Sequence, residues 1–402
     1  MGKRMRIVQI NSGNFGSTGN IMIGIAQKAR ESGHICYTAC PASRSNRKRD
    51  VQDQIFIGTR FGRNLHLLLG KLSGCTGVFS VWDTYLFLRK LDRIQPDIIH
   101  LHNLHDGYIN LPMLFRYIKK NSIRTVWTLH DCWSFTAQCA HFTVAQCDKW
   151  KTGCYGCPQY RSYPDTWVDR TKTMWKKKKQ GFTGVADMTI VTPSHWLADL
   201  AAQSFLREYP IRVVHNGIDL SVFRPMENDF RKRYNIPESA HILLGVSFGW
   251  GERKGLDVFL ELANRLNPEQ YRIVLVGTNE EVDKVLPERI LSIHRTHNQQ
   301  ELAMLYSAAD IFVNPTREEN YPTVNMEALA CGTPVLTFCT GGSPEIPDET
   351  CGNVVPYGDV DAMEAEIIRI CEEAPFSEKA CLERARGFDR NERFAEYVTL
   401  YK

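Results

Sequence analysis

The chain has 402 residues, 43% of them hydrophobic and 23% charged, and contains no long low-complexity run. It is long enough to bury two ordinary cores. No apolar run approaches the roughly 18 residues of a membrane span. Lys3, Arg4 and Arg6 lead directly into a short strand and then glycine, unlike a secretory leader. We therefore expect a protein that is made and kept in the cytoplasm.

Charge is divided unevenly along the chain. Residues 1–220 contain 30 Lys and Arg against 15 Asp and Glu, whereas residues 221–402 contain 19 against 30. A basic half beside an acidic half suggests mutual attraction across a cleft, and a basic surface suits an anionic partner. No recognisable nucleic-acid fold or motif accompanies the charge, so nucleic acid is disfavoured against an anionic membrane surface or an anionic substrate.

Apolar, strand-like runs alternate with helix-length amphipathic segments, which is typical of parallel α/β sheets. Predicted strands in the first half are 6–10, 35–39, 98–101, 125–129, 189–192 and 212–214. After a turn-rich stretch at 216–225 the alternation resumes with 242–247, 272–276, 290–293, 311–314, 335–337 and 353–355. The pattern predicts two doubly wound α/β domains with a boundary near 215–222.

A glycine loop follows the first predicted strand. Gly13, Gly16 and Gly19 have G-x-x-G-x-x-G spacing, whereas a nicotinamide-binding unit uses G-x-G-x-x-G and an acidic residue at the end of its second strand. A dehydrogenase is therefore disfavoured. The loop is either a plain tight turn or a place where backbone approaches a donor phosphate or an acceptor.

His130 and Asp131 end the strand predicted at 125–129 and open a cysteine-rich insert at 132–165. Four cysteines in the insert include one C-x2-C pair: Cys139, Cys147, Cys154 and Cys157. Thiolates favour zinc, and His141 could replace one ligand. Structural zinc, free thiols and disulfides all remain open. We expect a zinc ion here to order a lid near the acceptor and to take no part in the chemistry.

A segment rich in tryptophan and lysine follows at 167–182. On a helix, one side gathers Trp167, Thr171, Met174, Trp175, Lys178 and Phe182, with cations around them. Such a run is most often a solvated face, but it also fits an interfacial helix on anionic lipid.

In the second half, two motifs suit a diphosphate site. Arg253-Lys254-Gly255 follows the strand at 242–247 and offers cations. Glu319 and Glu327 stand eight apart around a predicted helix start at Pro322-Thr323. Free backbone N–H groups at such a start make an anion site. Glu319 can then accept from sugar hydroxyls, and Glu327 can reach ribose hydroxyls. Two solvated surface glutamates are the alternative.

These motifs, in order, resemble glycosyltransferase family 4, whose signature is Glu-x7-Glu. The resemblance spans nearly the whole chain and includes these segments: Gly13-Asn14-Phe15-Gly16, Thr128-Leu129-His130-Asp131, Pro193-Ser194-His195-Trp196, His215-Asn216-Gly217-Ile218-Asp219, Arg253-Lys254-Gly255 and Gly341-Gly342-Ser343-Pro344-Glu345. His100-Leu101-His102-Asn103 and the cysteines after His130 make it most similar to colanic-acid-type, capsule and O-antigen transferases.

The resemblance implies a GT-B fold with two Rossmann-like domains facing a central cleft. Its expected domains are 1–218 on the acceptor side, 219–387 for the nucleotide sugar, and a final helix at 388–402 that crosses back to the first domain. The residues carried over for catalysis are His130, as a donor-sugar contact, Glu319, Lys254 and Arg253. Those expected to bind the donor are Gly16, Asn216, Arg253, Lys254, Tyr321, Pro322, Thr323, Val324 and Glu327.

The family often has an arginine where this chain has Gly249, and Arg253 is the candidate replacement. Retaining transfer on the front face of the donor needs no protein nucleophile and no catalytic metal, so we name no general base. The expected function is retaining sugar transfer from a nucleoside-diphosphate sugar to a lipid-linked intermediate of a bacterial surface glycan, peripherally on the inner face of the membrane. A GT-B-fold sugar-nucleotide epimerase and a degenerate, non-enzymatic, zinc-bearing assembly module are the alternatives.

Overall fold

The computed structural model describes residues 3–402, which form two compact units. The first unit contains the chain up to His215 together with Asn391–Lys402, and the second contains Asn216–Arg390. The sequence-based boundaries, after residue 218 and before residue 388, lie within three residues of these.

The first unit is built on a seven-stranded parallel sheet with the order β3-β2-β1-β4-β5-β6-β7 in the described chain. Its strands are β1 Arg6–Ile10, β2 Ile35–Pro41, β3 Gln54–Ile57, β4 Ile98–Leu101, β5 Arg124–Thr128, β6 Met188–Thr192 and β7 Ile211–Val213. The sequence analysis missed β3, a four-residue strand at the edge of the sheet in which only Ile57 is buried. A short, half-exposed edge strand has little periodicity to recognise.

Helices connect these strands in the usual parallel manner. They are α1 Gly16–Glu31, α2 Arg44–Lys48, α3 Arg60–Ser73, α4 Val81–Ile94, α5 Leu111–Lys120, α6 Thr171–Phe182 and α7 His195–Gln203. Between β5 and α6, residues 129–170 contain two short 3-10 turns, Cys132–Ser134 and Lys149–Lys151, and are otherwise irregular.

The second unit repeats this architecture with a six-stranded parallel sheet, ordered β10-β9-β8-β11-β12-β13 in the described chain. Its strands are β8 His241–Val246, β9 Tyr271–Val276, β10 Ile290–Ile293, β11 Ile311–Asn314, β12 Val335–Phe338 and β13 Gly352–Val355. Its helices are α8 Phe230–Arg233, α9 Leu256–Arg265, α10 Glu280–Asp283, α11 Gln299–Ala308, α12 Thr323–Ala330, α13 Val360–Glu373 and α14 Glu378–Arg386.

The last helix, α15 Arg390–Leu400, packs into the core of the first unit. Phe394 lies so close to Gly24 of α1 that a Cβ at Gly24 would stand 2.2 Å from its ring. The Tyr401 hydroxyl is 2.6 Å from His100 Nδ1 on β4. The chain therefore returns to the first unit after completing the second.

The apolar side of α6 faces the protein interior, so its interpretation as a lipid-facing surface is wrong. Met174, Trp175, Lys178 and Phe182 are all buried, and Trp167 precedes the helix. Helical periodicity shows that an apolar side exists but does not say what covers it. Here the core of the first unit covers it.

Helix α3 has the opposite arrangement. Phe61, Leu65, Leu68 and Leu72 follow one another at helical spacing and are all exposed, Phe61 by 77%. Nearby on the chain, Trp82 at the start of α4 is 68% exposed. An exposed apolar stripe of this kind is a candidate interaction surface. No helix within residues 3–402 is long and apolar enough to cross a bilayer.

Candidate functional site

In the second unit, the candidate site lies where β11 runs into α12. Strand β11 is fully buried, and α12 begins at Thr323 after Pro322, which provides no side-chain cap. The first-turn N–H groups of a helix have no intrahelical partner and carry the positive end of its dipole. The first turn after Pro322, with Thr323 and Val324, therefore offers N–H groups that can bind an anion.

Lys254 and Glu319 form an ion pair in this site, with Nζ 2.6 Å from Oε2. The turn that carries Lys254 is fixed by Gly255, which has φ +76° and approaches Pro315 so closely that a Cβ would stand 2.4 Å from the Pro315 carbonyl oxygen. This contact draws the loop after β8 against the end of β11. It explains why a lysine and a glutamate 65 positions apart meet.

A second glycine turn supports Glu319 from the other side. Gly341 has φ +56°, and a Cβ there would stand 1.9 Å from the Glu319 carbonyl oxygen. The next residue, Gly342, donates its N–H to the Asn320 carbonyl oxygen at 2.8 Å. The Gly341-Gly342 motif thus sets the position of the Glu319 backbone.

Glu327 is half-buried on α12, where its Oε2 accepts a hydrogen bond from the Tyr306 hydroxyl at 3.1 Å. Burial raises the pKa of Glu327 to about 7, and hydrogen bonds from Tyr306 and Thr323 only partly oppose this. Asn216 is buried and donates to the Tyr321 carbonyl oxygen at 3.4 Å. It therefore holds the segment that precedes α12.

Arg253 differs from Lys254 although the two are adjacent. Its side chain is exposed, and none of the ion pairs found among residues 3–402 includes it. Phe248, in the loop after β8, is fully exposed as well. The sequence analysis did not single out Phe248, because nothing in the sequence tells an exposed phenylalanine from a buried one.

In the first unit, the glycine loop opens α1. Gly16 has φ +69°, and a Cβ at this position would have no atom within 4 Å. Phe15, at the N-cap position, makes no side-chain capping hydrogen bond. Gly19 is constrained differently, since a Cβ there would stand 2.6 Å from the Asn14 carbonyl carbon. Gly16 therefore provides backbone freedom, and Gly19 allows close packing.

His130 belongs to a stack of histidines on β4 and the end of β5. Its Nε2 is 3.0 Å from His102 Nδ1, and His102 Nε2 is 2.9 Å from Gln9 Oε1. Because an amide oxygen only accepts, His102 carries its proton on Nε2, and His130 Nε2 must donate to His102 Nδ1. Burial lowers the pKa of His130 to about 4, so the ring is neutral at pH 7.

Asp131 lies in a second, charged cluster. His105 Nε2 is 3.2 Å from Asp131 Oδ2, and the Tyr163 hydroxyl donates to Asp106 at 2.8 Å and lies 3.1 Å from His105 Nδ1. Burial opposes a charged His105, but hydrogen bonds to Asp106 and Asp131 raise the pKa of His105 to about 9. The sequence analysis did not single out His102, His105 or Tyr163 as site residues, since their partners are distant in sequence.

The four cysteines of the insert line one small cavity of about 20 Å³. All four are free thiols. Within residues 3–402, no three of these four sulfur atoms all lie within 4.8 Å of one another.

Two doubly wound parallel units of this kind constitute the GT-B fold, the architecture of one large class of nucleotide-sugar-dependent glycosyltransferases. The model of the family described as Glycosyltransferase Family 4 matches residues 19–222, half of the chain. The model described as Glycosyl transferases group 1 matches residues 240–373. The chain belongs to glycosyltransferase family 4 and is a glycosyltransferase.

Individual relatives agree with this assignment. The chain is 25% identical over 321 residues to WcaC of Escherichia coli (strain K12), named as a colanic acid biosynthesis glycosyl transferase, with 76% of each chain covered. Among solved structures, sucrose-phosphate synthase from Thermosynechococcus elongatus has a TM-score of 0.74 at 18% identity and covers 99% of this chain and 98% of its own. HepE of Anabaena in complex with UDP has a TM-score of 0.67 at 14% identity, covering 99% and 100%.

Proposed function

We propose that this glycosyltransferase moves a sugar, with retention of configuration, from a nucleoside-diphosphate sugar onto a lipid-linked intermediate of a bacterial surface glycan. The observation that carries the proposal is the Lys254–Glu319 ion pair beside the uncapped start of α12. It brings a cation and a hydroxyl-binding carboxylate to one place, next to a helix N-terminus that attracts phosphate.

The proposed mechanism relies on positioning and charge stabilisation. The bond from the sugar to the diphosphate breaks as the acceptor hydroxyl bonds to the same face of the anomeric carbon, and the departing phosphate oxygen takes the acceptor proton. Lys254, Arg253 and the N–H groups at Thr323 and Val324 stabilise the charge that grows on the diphosphate. Glu319 orients the sugar through its hydroxyls.

A neutral His130 fits the role of a donor-sugar contact. Its Nε2 proton is committed to His102, so Nδ1 is the ring nitrogen that would accept from a sugar hydroxyl. Gln9, through His102, fixes that tautomer. We therefore assign His130 to hydrogen bonding with the donor sugar, and Gln9 and His102 to positioning.

The donor is tested by binding a panel of UDP-, GDP-, dTDP- and ADP-sugars to the full chain. HepE holds UDP, which supports a nucleoside diphosphate as donor. We expect one nucleotide class to bind and Glu327→Ala to weaken that binding. Product analysis with donor alone separates transfer from epimerisation. Binding of none of the four classes, or conversion of the donor sugar without acceptor, would refute the proposal.

The proposed acceptor site is a cavity of about 270 Å³ in the first unit. One wall is α3 and the other is the cluster around His105, and the lining residues include Leu67, Leu68, Lys71, His105, Asp106, Trp133 and Tyr163. Apolar side chains on one wall and hydrogen-bonding groups on the other suit a molecule with a lipid and a glycan part. The name of WcaC supports a surface glycan.

We place the membrane contact on α3 and the start of α4. The sequence analysis had considered α6 as the lipid-facing helix. The exposed stripe Phe61, Leu65, Leu68 and Leu72 can enter the lipid interface, and Arg60 and the basic first half of the chain attract anionic headgroups. This arrangement supports a peripheral location on the inner face of the membrane, where a lipid-linked acceptor would be met.

Vesicle binding tests the assignment of this surface. Leu65→Ser with Leu68→Ser should reduce retention on anionic vesicles, because two buried apolar contacts with lipid are lost. The matched control, Lys176→Gln with Lys177→Gln, changes exposed lysines of α6 and should retain most of the binding. Equal binding by the wild-type protein and the α3 variant, or failure of the wild type to bind at low salt, would contradict it.

A further inference from the structure

The cysteine-rich insert carries a feature that sugar transfer does not explain. Cys139, Cys147, Cys154 and Cys157 come from four points on an irregular segment, and all four side chains line the same cavity. The cavity, about 20 Å³, has room for little more than one small ion or water molecule. We propose that these four thiols bind one structural zinc ion.

The surroundings of the cavity suit a negatively charged metal centre. Four thiolates around one Zn²⁺ carry a net charge of −2. Lys178 is fully buried on α6, where none of the ion pairs among residues 3–402 includes it, and it interacts electrostatically with Cys139 and Cys154. It donates to the carbonyl oxygens of Trp133 and Thr136. A buried lysine that already donates to two carbonyl oxygens can hold its charged form beside an anionic centre of this kind.

One buried donor in the cavity wall has no hydrogen-bond partner among the described residues. The indole Nε1–H of Trp150 is buried with no hydrogen-bond acceptor among the described residues, and Trp150 lines the cavity together with the four cysteines. Buried donors are nearly always satisfied in folded proteins. An anionic sulfur ligand would accept from this group, as outer-shell donors do at metal centres.

Hydrogen bonds hold the backbone of the C-x2-C pair in a tight turn. Gly156, with φ +50°, lies between Cys154 and Cys157, and Lys149 Nζ donates to the carbonyl oxygens of Tyr155 and Gly156. The N–H of Cys157 donates to Asp169, which also accepts from Thr171 at the start of α6. The C-x2-C pair is therefore fastened to the helix that carries Lys178.

The packing of the insert indicates how a bound zinc ion would affect its order. Four aromatic side chains of the insert are buried: Trp133, Phe135, Phe142 and Trp150. The zinc ion would therefore tighten a segment that is already packed. Zn–S bonds of about 2.3 Å require the four sulfurs to move closer together than they stand here, with the thiol protons released to solvent.

The test uses the full chain purified without added metal. We expect close to one equivalent of zinc per chain, with the four insert cysteines protected from alkylation until a chelator is added. Cys339, which is exposed, should react with or without chelator and serves as the internal control. Absence of zinc, with all four thiols as reactive as Cys339, would overturn the proposal, as would a disulfide between any two of them.

Cysteine variants and replacement of zinc by Co²⁺ test metal binding without measuring transferase activity. Cys154→Ser with Cys157→Ser should lose the zinc, while Cys75→Ser with Cys371→Ser, also half-buried but outside the insert, should keep it. Chelated wild-type protein titrated with Co²⁺ should develop thiolate-to-cobalt charge-transfer absorption. Lack of this absorption, or retention of zinc by Cys154→Ser with Cys157→Ser, would refute the proposed zinc site. The Co²⁺ titration uses wild-type protein, so it does not depend on how the variants fold.

Discussion

Replacing Gly341 by alanine should disable the candidate donor site without touching a functional side chain. Gly341 lies against the Glu319 backbone, and a Cβ would stand 1.9 Å from the Glu319 carbonyl oxygen. Carbon and oxygen atoms in non-bonded contact lie about 3.3 Å apart or more. The Glu319–Asn320 backbone must therefore retreat by about 1.4 Å, and the hydrogen bond from Gly342 to Asn320 is lost or stretched.

This displacement moves the carboxylate that we assign to the sugar. A misplacement of about 1 Å at a reacting centre costs about 100-fold in rate, or about 2.7 kcal/mol of transition-state stabilisation. The alanine also pays about 1 kcal/mol for a left-handed backbone conformation, which lowers the free energy of unfolding but not the rate of transfer. We expect kcat/KM for transfer to fall about 100-fold with a modest loss of thermal stability.

Gly358 provides the matched control. It has φ +74°, so alanine there carries a similar conformational penalty, but nothing lies within 4 Å of its Cβ. Gly358→Ala should lose only the part of the stability that comes from the left-handed conformation and keep its kcat/KM. If Gly341→Ala is no less active than Gly358→Ala, the idea that Gly341 positions Glu319 is wrong.

Three further predictions concern the same site. Glu319→Gln and Glu327→Ala should abolish or strongly reduce transfer while circular dichroism shows an intact fold, and unchanged turnover in both would remove the basis for the site. Lys254→Ala should weaken binding of the nucleoside diphosphate by about 1.5–3 kcal/mol in calorimetry, because a charge-assisted contact with phosphate is lost, and an unchanged Kd would contradict this. The folded-state pKa of Glu327 is raised from 4.5 to about 7, so the unfolded chain releases its proton first, and stability relative to Glu327→Gln should fall as pH rises from about 4.5 to about 7. The full difference is on the order of 3 kcal/mol, and denaturant titrations at pH 5 and pH 8 that show no change relative to the variant would contradict it.

The two-domain architecture could be predicted because it depends on local patterns. Twelve of the strands appear as apolar runs bounded by turn residues, and α12 begins at Thr323, where proline followed by threonine predicts a helix start. The pairing of Lys254 with Glu319 could be expected only from the family resemblance. It depends on the contact between Gly255 and Pro315, and hydrophobic periodicity cannot predict a contact between residues so far apart in the sequence.

What covers a helix face could not be read from periodicity. Helices α3 and α6 both carry apolar residues at helical spacing, yet Leu68 is exposed and Met174 is buried. The choice depends on which neighbouring segment fills the adjacent space, which is a property of the whole fold. Lys178, which helical spacing places on the same side as Met174, is buried with it.

The return of the chain through α15 has a consequence for biosynthesis. Phe394, Tyr397 and Tyr401 complete the core that contains Ile25 and Val126, so the first unit lacks one wall of that core until residues 391–402 have been synthesised. The apolar side chains of this groove therefore stay uncovered while the ribosome makes the second unit, Asn216–Arg390. Truncation at the C-terminus, or expression of the first 215 residues alone, removes the same wall. Because Tyr401 bonds His100, which stacks on His102 next to His130, the segment after the second unit also completes the support of the candidate donor contact.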